Sequence, residues 1–222
     1  ERAMVLPEPR SAPPFGDRLL RAIAAKPGVS AKELAEQVGI LRDWDLRWSV
    51  ESIPTSLAIF FGEEARRLGA TERATPQELL QALRAASARL EADFGSWRTP
   101  WGDINRFQRL TGDIVQPFND DRASTPVGFV SGRWGSLASF GARAYPQTKR
   151  WYGTSGNSFV AVVEFGDRVR ARAVTAGGLD SDPSSPHFND QAELYASGDL
   201  REVYYYRADV EGHIEREYHP GN

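Results

Sequence analysis

The stretch from Phe159 to Thr175 decides the fold class: FVAVVEF over 159–165, the turn pair Gly166-Asp167, then RVRARAVT over 168–175. The first run is β-branched and aromatic almost throughout, and the second alternates polar and apolar side chains as a half-exposed strand does. Joined by a Gly-Asp turn, they read as an antiparallel hairpin. Its first strand is apolar on both faces and is therefore expected in the middle of a sheet. Downstream, Phe188 to Ala196 suits one short helix, and Val203 to Tyr206 a last strand.

Upstream of this hairpin the periodicity changes from two to about 3.6 residues. A short helix is expected from Gly16 to Lys26, with Leu19, Leu20 and Ile23 on one face and Pro27-Gly28 as its stop. Ser30 and Glu33 then have capping-box spacing, with Leu34 and Val38 as the buried stripe and Gly39 as the end. A further helix is expected from Ile53 to Leu68 through Leu57, Ile59, Phe60 and Phe61. The clearest helix begins at Thr75-Pro76-Gln77-Glu78. It carries Leu79, Leu83, Ala86, Leu90 and Phe94 at helical spacing and meets a stop at Gly95. Between Trp97 and Thr125 no period stands out, and that segment reads as an ordered connection. The fold class is α+β: a mainly helical segment with its connector over 1–125, then a β-rich segment over 126–222, both parts of one larger domain.

The chain has 222 residues, 41% hydrophobic and 26% charged, which is ordinary globular composition. A net charge of −3 with interspersed signs argues against a nucleic-acid partner. There is no cysteine, so disulfides, thiol nucleophiles and Cys-containing zinc sites are excluded. No apolar run approaches the ~20 residues of a membrane span. The chain opens on Glu1, and the proline-rich stretch Leu6 to Pro14 suits an extended connector. Together these suggest a sequence that begins inside a longer one.

Candidate chemistry is sparse. His213 and His219 flank Glu215 and Glu217, but the spacing fits no standard pair of metal ligands, and a solvated charged tail is the simpler reading. Gly153 to Asn157 has the composition of an anion-binding nest or of an ordinary strand-entry turn. Asp180, Asp182 and Asp190 lie in a polar loop that either surrounds a calcium ion or, more simply, caps the helix that follows. His187 is the histidine of that loop. No G-x-S-x-G elbow, phosphate-binding loop or dinucleotide fingerprint is present.

At this loop the sequence resembles a known family. Asp182-Pro183-Ser184-Ser185-Pro186-His187-Phe188-Asn189-Asp190-Gln191 is similar to the D/N-P-x-S-P-H-[FY]-x-D-Q segment of penicillin acylases and of their cephalosporin, aculeacin and acyl-homoserine-lactone relatives. Three more segments match in the same order. Leu41-Arg42-Asp43-Trp44-Asp45 followed by Ser52 resembles L-x-x-W-D…S. Trp101-Gly102-Asp103-Ile104-Asn105-Arg106 resembles W-G-D-x-[HN]-R. Trp151 to Phe159 resembles the strand entry before the last hairpin.

The resemblance implies a fragment of the αββα sandwich of an N-terminal-nucleophile hydrolase, made as a precursor that cuts itself into α and β subunits. It implies a Ser nucleophile that attacks an amide carbonyl of a β-lactam or N-acyl-homoserine lactone, with its own α-amino group as base. Glu1 is not such a nucleophile, so the catalytic Ser and oxyanion groups are expected upstream. This chain is then expected to be the C-terminal part of the β subunit, inactive alone. Its expected partners are the remainder of the β subunit and the α subunit, with no nucleic acid and no membrane. The resemblance further implies a zymogen of antibiotic biosynthesis or resistance in the periplasm or outside the cell. No cofactor is expected in this segment, and any structural calcium would sit elsewhere in the parent. Within the chain, Glu164 is the carboxylate that could support a catalytic His. The alternative is an inactive binding or scaffold module derived from such an enzyme.

Overall fold

Thr75 and Glu78 satisfy one another at the start of the longest helix. The Glu78 amide donates to Thr75 Oγ1 at 3.3 Å and the Thr75 amide donates to Glu78 Oε2 at 2.7 Å, which occupies donors that a helix N-terminus leaves free. The computed structural model describes residues 33–69, 74–219 and 221. The expected Gly16–Lys26 helix, the Ser30 cap and the proline-rich connector lie outside the described residues.

Helix α1 is Ala35–Asp43, α2 Ile53–Arg67 and α3 Pro76–Phe94. The Ser52 hydroxyl caps α2 by accepting from the Thr55 amide at 3.2 Å, and Pro54 sits in its first turn. Gly95 ends α3 with φ of 82°, a left-handed conformation that suits glycine. Gly39 does not stop α1. The helix runs through it because the next turn is anchored by Leu41, which is buried. Helices α2 and α3 bury Leu57, Phe60, Leu83, Ala86 and Leu90 in a first core that also takes in Trp101, Trp134 and Trp151.

The segment expected as a plain connection holds structure. One helical turn, α4 (Trp101–Ile104), leads directly into strand β1 (Asn105–Phe107). With β2 (Thr125–Pro126), β3 (Phe140–Arg143) and β4 (Trp151–Gly156) it forms a four-stranded sheet of order β2-β1-β4-β3. This sheet is mixed rather than antiparallel, because β1 runs parallel to β4, with Asn105 opposite Trp151 and Arg106 opposite Tyr152. Strands of two or three residues carry no readable period, and their pairing is set by distant partners.

The expected hairpin forms as β5 (Phe159–Glu164) and β6 (Arg170–Thr175), in unbroken antiparallel register from Phe159–Thr175 to Glu164–Arg170. The second sheet has order β5-β6-β7, with β7 at Arg201–Glu202. Strand β6 is therefore the central one, and β5, expected in the middle from its composition, lies at an edge. Tyr204 to Tyr206 leave the sheet: Tyr204 stacks on His213 at 3.7 Å and the Tyr206 hydroxyl accepts from the Val169 amide at 3.0 Å. Helix α5 is Ala192–Ser197, shorter than expected because Phe188 to Gln191 are spent on turns, and α6 is Arg207–Glu211. A second core of Val127, Phe129, Phe140, Val174, Tyr195 and Leu200 joins the two sheets and α5. No helix among the described residues is long and apolar enough to cross a membrane.

Candidate functional site

The four motif segments, dispersed in sequence, touch one another in a chain of contacts. Leu41 is buried, and Trp44 Nε1 donates to the Arg47 carbonyl at 2.8 Å while Asp45 accepts from the Arg47 amide at 3.0 Å. These bonds fold a tight corner in which Leu46 takes φ of 66°. The corner brings two carbonyls to the second motif. Val50 accepts from the Gly102 amide at 2.7 Å, and Ser52 accepts from the Trp101 amide at 3.2 Å. Glycine is required at 102 because a Cβ there would stand 2.7 Å from Val50 Cβ and 3.1 Å from Pro126 Cβ.

Asn105 is the polar centre of the second motif. It is fully buried, and its Nδ2 donates to the carbonyls of Val127 at 2.7 Å and Phe129 at 2.9 Å. Its Oδ1 and the Nε1 of the neighbouring Trp151 are buried without a partner among the described residues. Arg106 donates to the Gly102 carbonyl at 2.8 Å, to Ser124 Oγ at 3.0 Å and to the Ser124 carbonyl. Burial, and then the nearby Arg150 charge, lower its guanidinium pKa from the ordinary value.

The third motif is strand β4 itself. Tyr152 is fully buried, stacks on Phe118 at 5.0 Å and donates to Asp120 at 2.9 Å. Burial first, and the bond to Asp120 second, push its phenol up to about 12. Gly153 to Gly156 belong to the strand itself, close to the simpler strand-entry reading and not an anion nest. Asn157 locks its end by exchanging bonds with Ser139, at 2.7 and 2.9 Å.

Arg109 carries the connection to the fourth motif. Its guanidinium donates to the carbonyls of Phe188 at 2.6 Å and Asp180 at 2.8 Å and lies 4.2 Å over the Phe188 ring. Within that loop Asp182 accepts from the Ser184 amide and hydroxyl at 2.9 and 2.8 Å, and Asp180 accepts from the Asp182 amide at 3.0 Å. Gln191 is buried, and its Oε1 accepts from the Thr175 amide at 3.0 Å and from Arg201 at 3.2 Å. Asp180, Asp182 and Asp190 thus each hold loop or ring atoms. Among the described residues, no group of three acidic or histidine side chains is placed to hold a metal ion.

His187 lies between two carboxylates: Nδ1 is 2.9 Å from Asp190 and Nε2 is 3.1 Å from Glu215. These contacts, Asp190 first and Glu215 second, raise its pKa from the ordinary value of 6.5. Glu215 thereby ties the C-terminal segment to the loop, a contact that the reading of a solvated tail missed because the partners are distant in sequence. His213 is held by Tyr204 and by the Asp209 carbonyl at 2.8 Å, and His219 is exposed. With both ring nitrogens of His187 taken by carboxylates, that histidine is not placed as base for a serine.

Glu164 lies at the turn end of the hairpin, on the β5 face that carries Val160 and Val162. Its side chain is 51% exposed and meets Arg170 at 2.8 Å. Arg168, on the other side of the turn, pairs with Asp209 at 2.7 Å. A cleft of about 630 Å³ opens between β3–β4 and the loop after β1, with Phe107, Phe118, Phe140, Tyr145 and Arg143 among its walls. The Gln116 side chain braces the loop by accepting from the amides of Leu110 at 2.7 Å and Thr111 at 3.1 Å.

An α+β scaffold in which main-chain bonds, a strand pairing and the Arg109 guanidinium link four motif segments, with no serine–histidine side-chain pair among the described residues, is what these contacts define. The profile of the penicillin amidase family matches residues 9–212, and the chain belongs to that family. It is also similar to a solved structure described as thermostable penicillin G acylase from Alcaligenes faecalis, with 15% identity and a TM-score of 0.46. That similarity covers 92% of this chain and 45% of the acylase chain, so the present sequence spans less than half the length of the protein it matches.

Proposed function

We propose that this chain is the C-terminal segment of an amidohydrolase that cleaves the linear amide of an acylated substrate, such as a β-lactam or an N-acyl-homoserine lactone. Its nucleophile is an N-terminal Ser supplied by sequence upstream of Glu1. The observation that carries this reading is the family match over residues 9–212. The contacts among the motif segments support a positioning role: Asn105, Arg106 and Arg109 hold strands and a loop, while among the described residues none forms a nucleophile–base pair. In this reading the aromatic cleft beside β4 forms part of the acyl-pocket wall, and Glu164 is the carboxylate available to support a catalytic His. The protein is a self-cleaving zymogen of the periplasm or the exterior, and its partners are the rest of the β subunit and the α subunit.

The test uses a chromogenic phenylacetyl or fatty-acyl anilide. The processed full-length protein is expected to turn it over and the purified 222-residue chain is not. Clear turnover by the isolated chain refutes an upstream nucleophile. Inactivity of the full-length protein on every such anilide points instead to an inactive binding or scaffold module. A Glu164→Gln variant of the full-length enzyme reads the supporting role through its pH–rate profile. The coding sequence before Glu1 is expected to hold an in-frame Gly-Ser cleavage junction and a signal peptide.

A further inference from the structure

A second cleft, of about 410 Å³, lies where helices α2 and α3 meet the sheet formed by β1 to β4. Its volume falls within the ~300–1,000 Å³ of small-molecule sites. Indoles form much of its wall. Trp101 and Trp151 meet edge to face at 6.0 Å, and Trp134 presses on α2 at Gly62, where a Cβ would run into the indole ring. The contacts that join the motif segments leave this space unused.

Two residues that line the cleft carry polar atoms without a partner. Asn105 and Trp151 lie opposite one another on β1 and β4; Asn105 is fully buried and Trp151 is 8% exposed. Among the described residues, Trp151 Nε1 is a donor with no acceptor and Asn105 Oδ1 an acceptor with no donor. Turning the Asn105 amide does not cure this, because its Nδ2 already serves the carbonyls of Val127 and Phe129. Each orphan destabilises the fold unless something supplies its partner. One hydroxyl satisfies both, since it accepts from the indole N–H and donates to the amide oxygen. Charge defines the rest of the ligand. Arg66 and Arg133 share a single carboxylate of the cleft wall, Glu63, at 2.8 and 3.4 Å. Arg89 is held by longer contacts, to Glu64 at 3.5 Å and Asp93 at 3.6 Å, and its guanidinium lies 5.9 Å over the Trp151 ring. Guanidinium groups in excess of carboxylates suit an anion, and their fork geometry suits a carboxylate.

We propose that this cleft binds a small 2-hydroxycarboxylate with an apolar body. The hydroxyl bridges Trp151 Nε1 and Asn105 Oδ1, the adjoining carboxylate meets Arg89, and the apolar body lies against Trp101 and Trp134. Neither orphan atom is open to solvent, so entry of the hydroxyl shifts the Trp151 indole, and tryptophan emission reports it. The site does not depend on the amidohydrolase reading and stands whether or not the protein cleaves amides.

Titration calorimetry on the full-length protein tests the site with two probes that differ only in the hydroxyl, 3-phenyllactate and 3-phenylpropionate. The expected result is that phenyllactate binds about 10-fold more tightly or better, because the analogue leaves both buried atoms unpaired, and that it shifts tryptophan emission. Trp151→Phe keeps a ring against Phe60 and deletes the N–H, and it is expected to bring the two probes to equal affinity. Arg89→Gln is expected to weaken both. Equal affinity of the two probes for the unaltered protein overturns the proposal and leaves a buried water as the partner of the two atoms. Absence of binding at millimolar concentration overturns it too, as does a hydroxyl preference that survives in a folded Trp151→Phe. The indole N–H resonance of Trp151 reads the same contact without any variant: phenyllactate is expected to move it, and a resonance left unmoved refutes the site.

Discussion

Replacing Asn105 tests whether the second motif works as a main-chain clamp. The Asn105 amide nitrogen donates at 2.7 and 2.9 Å to two carbonyls of the strand-like segment that lies over β1, and its oxygen has no partner. Asn105→Leu leaves the two carbonyls without this donor, at about 1–3 kcal/mol each, and removes the orphan oxygen, which returns about 1–3 kcal/mol. Phe129 keeps a weak bond from Trp101 Nε1 at 3.4 Å, so the net cost is about 1–3 kcal/mol. Asn105→Asp keeps the shape and turns the donor into an acceptor facing two acceptors, for a cost of about 3–5 kcal/mol when ionised. Its carboxyl is then held above the ordinary carboxylate range. The folded pKa is the higher one, so the variant's stability is greatest in acid and declines as pH rises through that value. Urea unfolding at pH 7 should lower the midpoint by about 1 M for N105L and by more for N105D. A variant N105D at least as stable as N105L, or one whose stability is flat between pH 4 and pH 7, refutes the clamp.

Three further outcomes follow from the same structure. Gly102→Ala should cost about 1–3 kcal/mol through overpacking against Val50 and Pro126, measured as a lowered urea midpoint with unchanged slope. The His187 pKa is raised in the folded chain, so its contribution is complete below the ordinary value of 6.5 and is lost as pH rises through the higher folded value. Amide exchange near Glu215 should therefore quicken on the alkaline side, and His187→Ala should abolish that pH dependence. In ultraviolet titration, the phenols of Tyr152 and Tyr195 should ionise only near pH 12, whereas phenols that titrate together near 10 would contradict their burial.

How much of this was legible beforehand differs by element. Helix α3 and the β5–β6 hairpin could be read because their signals are local: a capping box with a Gly stop, and alternation across a Gly-Asp turn. Strands β1, β2 and β7 could not, because two or three residues show no period and their partners are remote. The motif segments were visible in the sequence, but the residues that join them were not all inside the motifs. Arg109 lies three residues past the second motif and Glu215 lies beyond the fourth. Only the fold revealed that both reach the Asp180–Asp190 loop. The edge position of β5 was misjudged from composition for a physical reason: composition reports which side chains suit a buried face, not which strands flank the edges.

The parallel pairing of β1 with β4 governs the order in which this molecule can assemble. The α2–α3 pair closes over a short connection, and the β5–β6 hairpin over a shorter one, so both can form from nearby chain. The β1–β4 ladder joins Asn105 to Trp151 and must first close a long loop whose entropy is lost before any contact repays it. Trp151 also completes the helical core, stacking on Phe60 at 4.9 Å. Until that loop closes, the helix pair lacks its lid and the two cores lack their common wall. A pairing that closes so long a loop is expected to form after the two local ones, and it lies on the same strand that frames the cleft.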